Sequence, residues 1–150
     1  MRLTSPAFAE GEDIPSRHSC DGANHSPPLA WSDAPDGTRG FAIVCLDPDA
    51  PVGTWYHWAA FDIPPGADHL GQHCAPDAAG LHQGINDFGR RGYGGPCPPR
   101  GRGAHHYRFT LYALDVARLD LPSNPRCRDV EHAARTHAIA SATLTGLYER

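Results

Sequence analysis

The sequence contains no lysine, so all thirteen of its basic residues are arginine. Without a lysine amine there is no Schiff-base chemistry and no Walker phosphate loop; an arginine-only complement otherwise fits a GC-rich coding sequence. No apolar run approaches the roughly 20 residues of a membrane-spanning helix. The opening Met1-Arg-Leu-Thr-Ser-Pro6 also lacks the apolar stretch of a secretory leader, so a cytoplasmic protein with no integral membrane association is expected. Charge is not gathered into blocks of one sign: the formal net charge is -4, with Arg and Asp scattered along the chain. A nucleic acid or an anionic membrane surface would need a basic face, and no such partner is expected. C-x-x-C pairs are absent too. The five cysteines, at 20, 45, 74, 97 and 127, are odd in number and far apart, which removes zinc knuckles and dithiol motifs and leaves free thiols as the expectation.

What the chain has in quantity is glycine and proline, 31 of its 150 residues. They punctuate it from end to end rather than forming a linker, so residues 1–150 read as one domain without repeats. Between them lie short runs rich in aromatic and β-branched residues: Gly40 to Leu46, Thr54 to Ile63 and Tyr107 to Leu114. Runs of that length and composition are strands, and the fold class is mainly β. From Asp129 onward Val130, Ala134, His137, Ser141, Leu144 and Tyr148 recur at three- and four-residue steps, which predicts a C-terminal α-helix packed on the sheet. The stretch from Gly84 to Gly103 is too rich in glycine and proline for regular structure. It carries Asn86, Phe88 and Tyr93, which suit an ordered loop serving as a wall.

Strand alternation selects candidate functional residues. Within Thr54 to Ile63, His57 shares a side with Trp55, Ala59, Phe61 and Ile63, the more apolar one. From His105 onward, His105 falls with Tyr107, Phe109, Leu111 and Ala113, while His106, Arg108 and Thr110 face the other way. One histidine on an apolar face is usually a satisfied core residue; two of them beside fixed carboxylates point to a site. The carboxylates come from Asp47-Pro48-Asp49-Ala50-Pro51, where the prolines set φ and remove backbone donors, so that Asp47 and Asp49 are held rigidly. An Asp-Pro corner capping its own backbone would look similar, but the doubled motif is more specific. Carboxylates beside imidazoles raise their pKa, and a protonated pair then donates to phosphate oxygens near neutral pH. The same carboxylates also suit a ligand's ammonium group.

These residues carry a family resemblance. Cys20-Asp-Gly-Ala-Asn-His-Ser-Pro-Pro-Leu-Ala-Trp31, Asp47-Pro-Asp-Ala-Pro51, Trp55-Tyr-His-Trp58, Asn86-Asp-Phe-Gly89, Gly92-Tyr-Gly-Gly-Pro-Cys-Pro-Pro99 and His105-His-Tyr107 together resemble the phosphatidylethanolamine-binding proteins, also called Raf kinase inhibitor proteins, in their short bacterial and archaeal branch. The resemblance spans nearly the whole chain. It implies a large antiparallel Greek-key sheet packed with a smaller sheet, and a small anion pocket lined by Asp47, Asp49, His57 and His105. It sets Pro98, Pro99 and Tyr107 at the rim, makes Pro48 part of the ligand-binding turn, and would fit a cis X-Pro bond in these turns. His106 departs from the family, which usually has arginine there; pointing away from the pocket, it is expected to matter little. The implied ligand is phosphate or a phosphorylated head group such as phosphoethanolamine, bound without a cofactor and without turnover. A kinase or protease is the protein partner that the family name suggests, and a homodimer is compatible with a soluble chain of this size.

Rival readings use the same residues. Asp47, Asp49, His57 and His105 offer the donor types of a two-histidine, one-carboxylate metal enzyme, but His57 and His105 stand in no close H-x-H or H-x-x-x-H pair with each other. A hydrolase lacks a G-x-S-x-G elbow, and Cys97 among prolines has no activating context. Asp87-Phe88-Gly89 spells a kinase magnesium motif without the lysine and catalytic loop that must accompany it. Arg100-Gly-Arg-Gly103 is a single copy of an RNA-binding repeat in an acidic chain, and Asn24-His25-Ser26 matches a glycosylation pattern relevant only to secretion.

Overall fold

The computed structural model describes residues 1–76 and 80–150. Strands β1 (Arg2–Thr4), β2 (Leu29–Ser32), β3 (Gly40–Asp47), β4 (Trp55–Ile63), β5 (His69–Leu70), β6 (His82–Gln83) and β7 (His105–Leu114) lead to helix α1 (Cys127–His137) and strand β8 (Ala138–Tyr148). A short 3-10 turn, Ser16–His18, precedes β2. Two antiparallel sheets result, a small one in the order β1-β2-β5 and a large one in the order β6-β4-β3-β7-β8. Successive strands β3, β4 and β6 lie side by side and the chain then returns to set β7 against β3, which is Greek-key connectivity.

Strand β3 sits centrally because both of its faces are apolar. Phe41, Ile43 and Cys45 enter the core between the sheets with Trp31, Trp58, Phe109 and Leu111. Ala42 and Val44 face the other way, against Val130 and Ala134 of α1. Each large apolar side chain buried in this way contributes roughly 1.5–3 kcal/mol, so the two clusters hold the central strands from both sides. Strand β7 alternates cleanly, with Tyr107, Phe109, Leu111 and Ala113 inward to the inter-sheet core and Arg108 exposed.

Two local expectations are corrected. The C-terminal helix ends at His137, and Ser141, Leu144 and Tyr148 lie in β8, which pairs with β7 from Ala138↔Leu114 to Tyr148↔His105. The same eleven residues also alternate at period two. The long ladder to β7 pairs the backbone groups along one edge of this strand, and Gly11, Glu12 and Ile14 bond to Thr145 and Leu147 on the other, whereas a helix would carry Gly146 and the β-branched Ile139, Thr143 and Thr145 in its interior. The helix itself starts at Cys127, where the Asp129 carboxylate accepts the N–H of Arg126 at 2.9 Å. The second correction concerns the thiols. Cys20 and Cys97, 77 residues apart, form a disulfide, leaving Cys45, Cys74 and Cys127 free. No cis peptide bond occurs among the described residues, so the turns do not use the isomer the resemblance would have accommodated.

Candidate anion pocket

The C-terminal end of β3, the start of β4, the start of β7 and the proline-rich wall meet around a cavity of about 260 Å³. Asp47, His57, Pro98, Pro99, His105 and Tyr107 all line it. Pro48 and Asp49 do not, although both belong to the turn that closes the end of β3. Larger hollows of about 500 and 530 Å³ lie between β1 and β8 and beside α1. Neither is lined by a buried histidine or a buried carboxylate, so size alone does not locate the chemistry.

His57 reaches the pocket through an irregularity that simple alternation misses. The pairing of β3 with β4 passes from Cys45↔Trp58 to Leu46↔Tyr56, so His57 is an extra residue on a β-bulge. The bulge shifts the phase of the strand: Trp58 and Ala60 enter the inter-sheet core, Ala59 and Phe61 turn toward α1, and His57 faces the cavity with Trp55. Ala59 and Phe61 do not share the face of His57, because one inserted residue exchanges the faces beyond it, and a second register shift between Phe41 and Ile43 returns Ile63 to the inter-sheet core.

The hydrogen bonds define the state of each ring. His57 Nδ1 lies 2.6 Å from the Gly94 carbonyl, and His105 Nδ1 lies 2.7 Å from Asp47 Oδ2. A carbonyl and a carboxylate only accept, so both Nδ1 atoms carry hydrogen and donate. No described residue hydrogen-bonds to the Nε2 atom of either ring. The rings are 3 % and 6 % exposed and Asp47 is 3 % exposed, so these are buried polar groups whose unused positions face a cavity. The second Asp47 oxygen, Oδ1, accepts the Asp49 N–H at 2.7 Å. This Asx-type contact ties the carboxylate to its own turn.

Burial pulls the His57 pKa down; the Gly94 hydrogen bond and the Asp47 charge push it up but do not compensate. The expected upward shift fails for this ring because removal of water from the imidazolium outweighs the neighbouring carboxylate. His57 is thus neutral near pH 7, with a lone pair on Nε2. Tyr107 packs edge-on to His57 at 5.2 Å between ring centroids, and burial together with Asp47 holds its phenol far into the protonated range.

Asp49 does not orient either pocket ring. Its Oδ2 accepts from the His106 backbone N–H at 2.8 Å and sits 2.7 Å from His106 Nδ1. Burial is the largest single influence on Asp49 and opposes its ionisation, but the side-chain and backbone hydrogen bonds from His106 together outweigh it and its pKa is lowered. His106 points outward as its strand phase predicts, yet it pins the Asp49 end of the turn.

Sequence reasoning missed Trp55, Phe88, Val52 and Cys97 as lining residues. Phe88 and Val52 are 45 % and 79 % exposed, unusual for large apolar side chains, and both lie at the pocket. Phe88 stands edge-on to both Trp55 and His57. The tripeptide Asp87-Phe88-Gly89 is thus part of the wall: Asp87 Oδ2 accepts the Tyr56 N–H at 2.8 Å and holds Phe88 beside β4. Exposed aromatic residues in a glycine-rich loop were the available signal. Cys97 lies in a disulfide and supplies no free nucleophile for a hydrolase. Among the described residues no three His, Cys, Asp or Glu side chains converge as a metal-ligand set.

Comparison with known proteins agrees with this fold. A family model described as phosphatidylethanolamine-binding protein matches residues 4–149. A UPF0098 protein of Aquifex aeolicus is 46 % identical over 152 residues, covering 100 % of this chain and 89 % of that protein. A Mycobacterium tuberculosis protein named "Putative lipoprotein LppC" is 45 % identical over 149 residues, covering 99 % of this chain and 72 % of its own length. The crystal structure of Escherichia coli YbcL, described as a new member of the mammalian PEBP family, superposes with a TM-score of 0.94 at 37 % identity, covering 99 % of this chain and 98 % of that one.

Proposed function

The chain belongs to the phosphatidylethanolamine-binding protein family, and from that premise we propose that it is a non-enzymatic binding protein for phosphate or a phosphorylated head group of the phosphoethanolamine type. The observation that carries this reading is the pair of buried imidazoles with Nδ1 committed to Gly94 and Asp47 and Nε2 left to the cavity. An anion seated there meets those two nitrogens, with the Asp47 carboxylate held by His105 and by its own turn, and otherwise a largely apolar wall. Because neutral His57 presents a lone pair, a phosphate monoanion donates its own O–H to that nitrogen, or binding takes up a proton. Asp47 orients His105. Pro98 and Pro99 shape the rim, Tyr107 lines the cavity from the buried inter-sheet side rather than at the rim, and Trp55, Phe88 and Val52 favour a ligand whose anion is attached to an apolar group.

No covalent step is assigned, since the site holds no free nucleophile beside a base. A cytoplasmic location, a homodimer and docking on a kinase or protease are parts of the same proposal. No described helix is long and apolar enough to cross a membrane. The test is a phosphate titration followed by the ring signals of His57 and His105 in NMR. Both signals shift in the wild type, and His105→Ala abolishes the response while the chain stays folded. An unresponsive wild type refutes the anion reading, and stoichiometric metal in purified protein would favour the metal-dependent enzyme.

A further inference from the structure

The wall of the pocket depends on one covalent tie. Prolines at 96, 98 and 99 remove three amide donors from the stretch that carries the rim. Upstream, Gly94 is anchored by its N–H to the His57 carbonyl at 3.0 Å, Gly95 by its N–H to Asn24 Oδ1 at 2.8 Å, and the Pro96 carbonyl by the Cys20 N–H at 3.0 Å. The next backbone hydrogen bond is Gly101 N–H to the Arg150 carbonyl at 2.9 Å. Between those points no backbone group is hydrogen-bonded among the described residues, and the Cys20–Cys97 disulfide spans the gap. Cys97 lines the cavity and Pro98 and Pro99 follow it directly, so the cross-link positions the rim beside His57 and His105.

The same bond is open to chemistry. Both Cys20 and Cys97 are exposed. Arg150 Nη1 lies 3.1 Å from Cys97 Sγ, and Arg150 Nε lies 3.3 Å from Asp21 Oδ1. A guanidinium beside Cys97 Sγ makes the two sulfurs unequal, because it favours negative charge on Cys97. In a cytoplasm, exposed disulfides are characteristically transient and redox-sensing.

We infer that the Cys20–Cys97 disulfide is a thiol-exchange site for a dithiol reductant and that its reduction weakens ligand binding by releasing the rim; the binding half of this inference rests on the function proposed above. A reductant thiolate attacks Cys20 Sγ, a mixed disulfide forms, and the electron pair of the broken bond leaves on Cys97, which takes a proton. The second thiol of the reductant then displaces Cys20 as a thiol, and the reductant departs oxidised.

The test titrates the whole protein with phenyl phosphate, before and after dithiothreitol, following the His57 and His105 ring signals, with loss of the disulfide verified by mass. Reduction weakens binding by about tenfold or more, reoxidation restores it, and Cys20→Ser binds weakly under both conditions. Equal affinity in the two redox states, or a disulfide that resists dithiothreitol in the folded protein, overturns the inference. If the oxidised protein does not bind phenyl phosphate at all, the function proposed above fails. Amide exchange at Gly94, Gly95 and Cys97 then decides the redox claim: faster exchange on reduction supports a released wall, and unchanged exchange refutes it.

Discussion

Replacing Asp47 with asparagine probes the centre of the site. The carboxylate is 3 % exposed and receives two hydrogen bonds, from His105 Nδ1 and from the Asp49 N–H, both at 2.7 Å. Asparagine keeps the shape but offers one acceptor oxygen, and its amide nitrogen then faces the second donor. A hydrogen bond to a charged group contributes about 1.5–3 kcal/mol, and a buried donor left without an acceptor costs about 1–3 kcal/mol. Partial relaxation leaves a net loss of about 3 kcal/mol, or about 6–12 °C in unfolding midpoint for a domain of this size. The ring can relieve the conflict by moving its proton to Nε2, so that Nδ1 accepts from the asparagine amide. Urea unfolding reads the stability and ring 15N shifts read the tautomer of His105. A variant within about 0.5 kcal/mol of the wild type, with an unchanged His105 tautomer, would refute the claim that Asp47 holds this ring.

Other consequences follow from the same geometry. Burial depresses the pKa of both His57 and His18 below the ordinary 6.5; between the folded and unfolded values the unfolded chain binds more protons, so stability rises with pH through that window. Urea unfolding at about pH 5 should show lower stability than at about pH 7.5, and a flat or reversed trend contradicts the burial argument. His106→Ala removes the exposed His106–Asp49 side-chain contact, worth no more than about 1 kcal/mol, and should leave the phosphate response of His57 and His105 intact; loss of that response would make His106 part of the pocket. Gly146→Ala would set a methyl 2.5 Å from Ile14 Cγ1 and 2.7 Å from a Phe8 ring carbon. Thermal unfolding should register about 1–3 kcal/mol of overpacking.

The core positions of β3 and β7 were legible because alternation depends only on neighbouring residues. His105 inward and His106 outward follow from the uninterrupted register of β7 with β8 between His105 and Ala113. His57 was chosen for a face that the bulge then changed: its cavity position depends on an unequal residue count between two strands, which neither strand shows alone. Both aspartates lie in one rigid turn, and only the arrival of β7 decides that Asp47 meets His105 and Asp49 meets His106. Across β8 the Ala, Ser, Thr and Leu residues satisfy both periods, and pairing with β7, a strand earlier in the sequence, decides for the strand.

The sequence alone determined a mainly β domain, the proline-stiffened Asp47 turn and the histidines available to it, since composition, φ restriction and side-chain alternation are local properties. Tertiary structure decided the rest: the bulge that presents His57, the pairing of Asp47 with His105 and Asp49 with His106, the sign of the His57 pKa shift, and the union of Cys20 with Cys97. Each of these depends on the distance between segments remote in sequence, or on the water excluded when they meet.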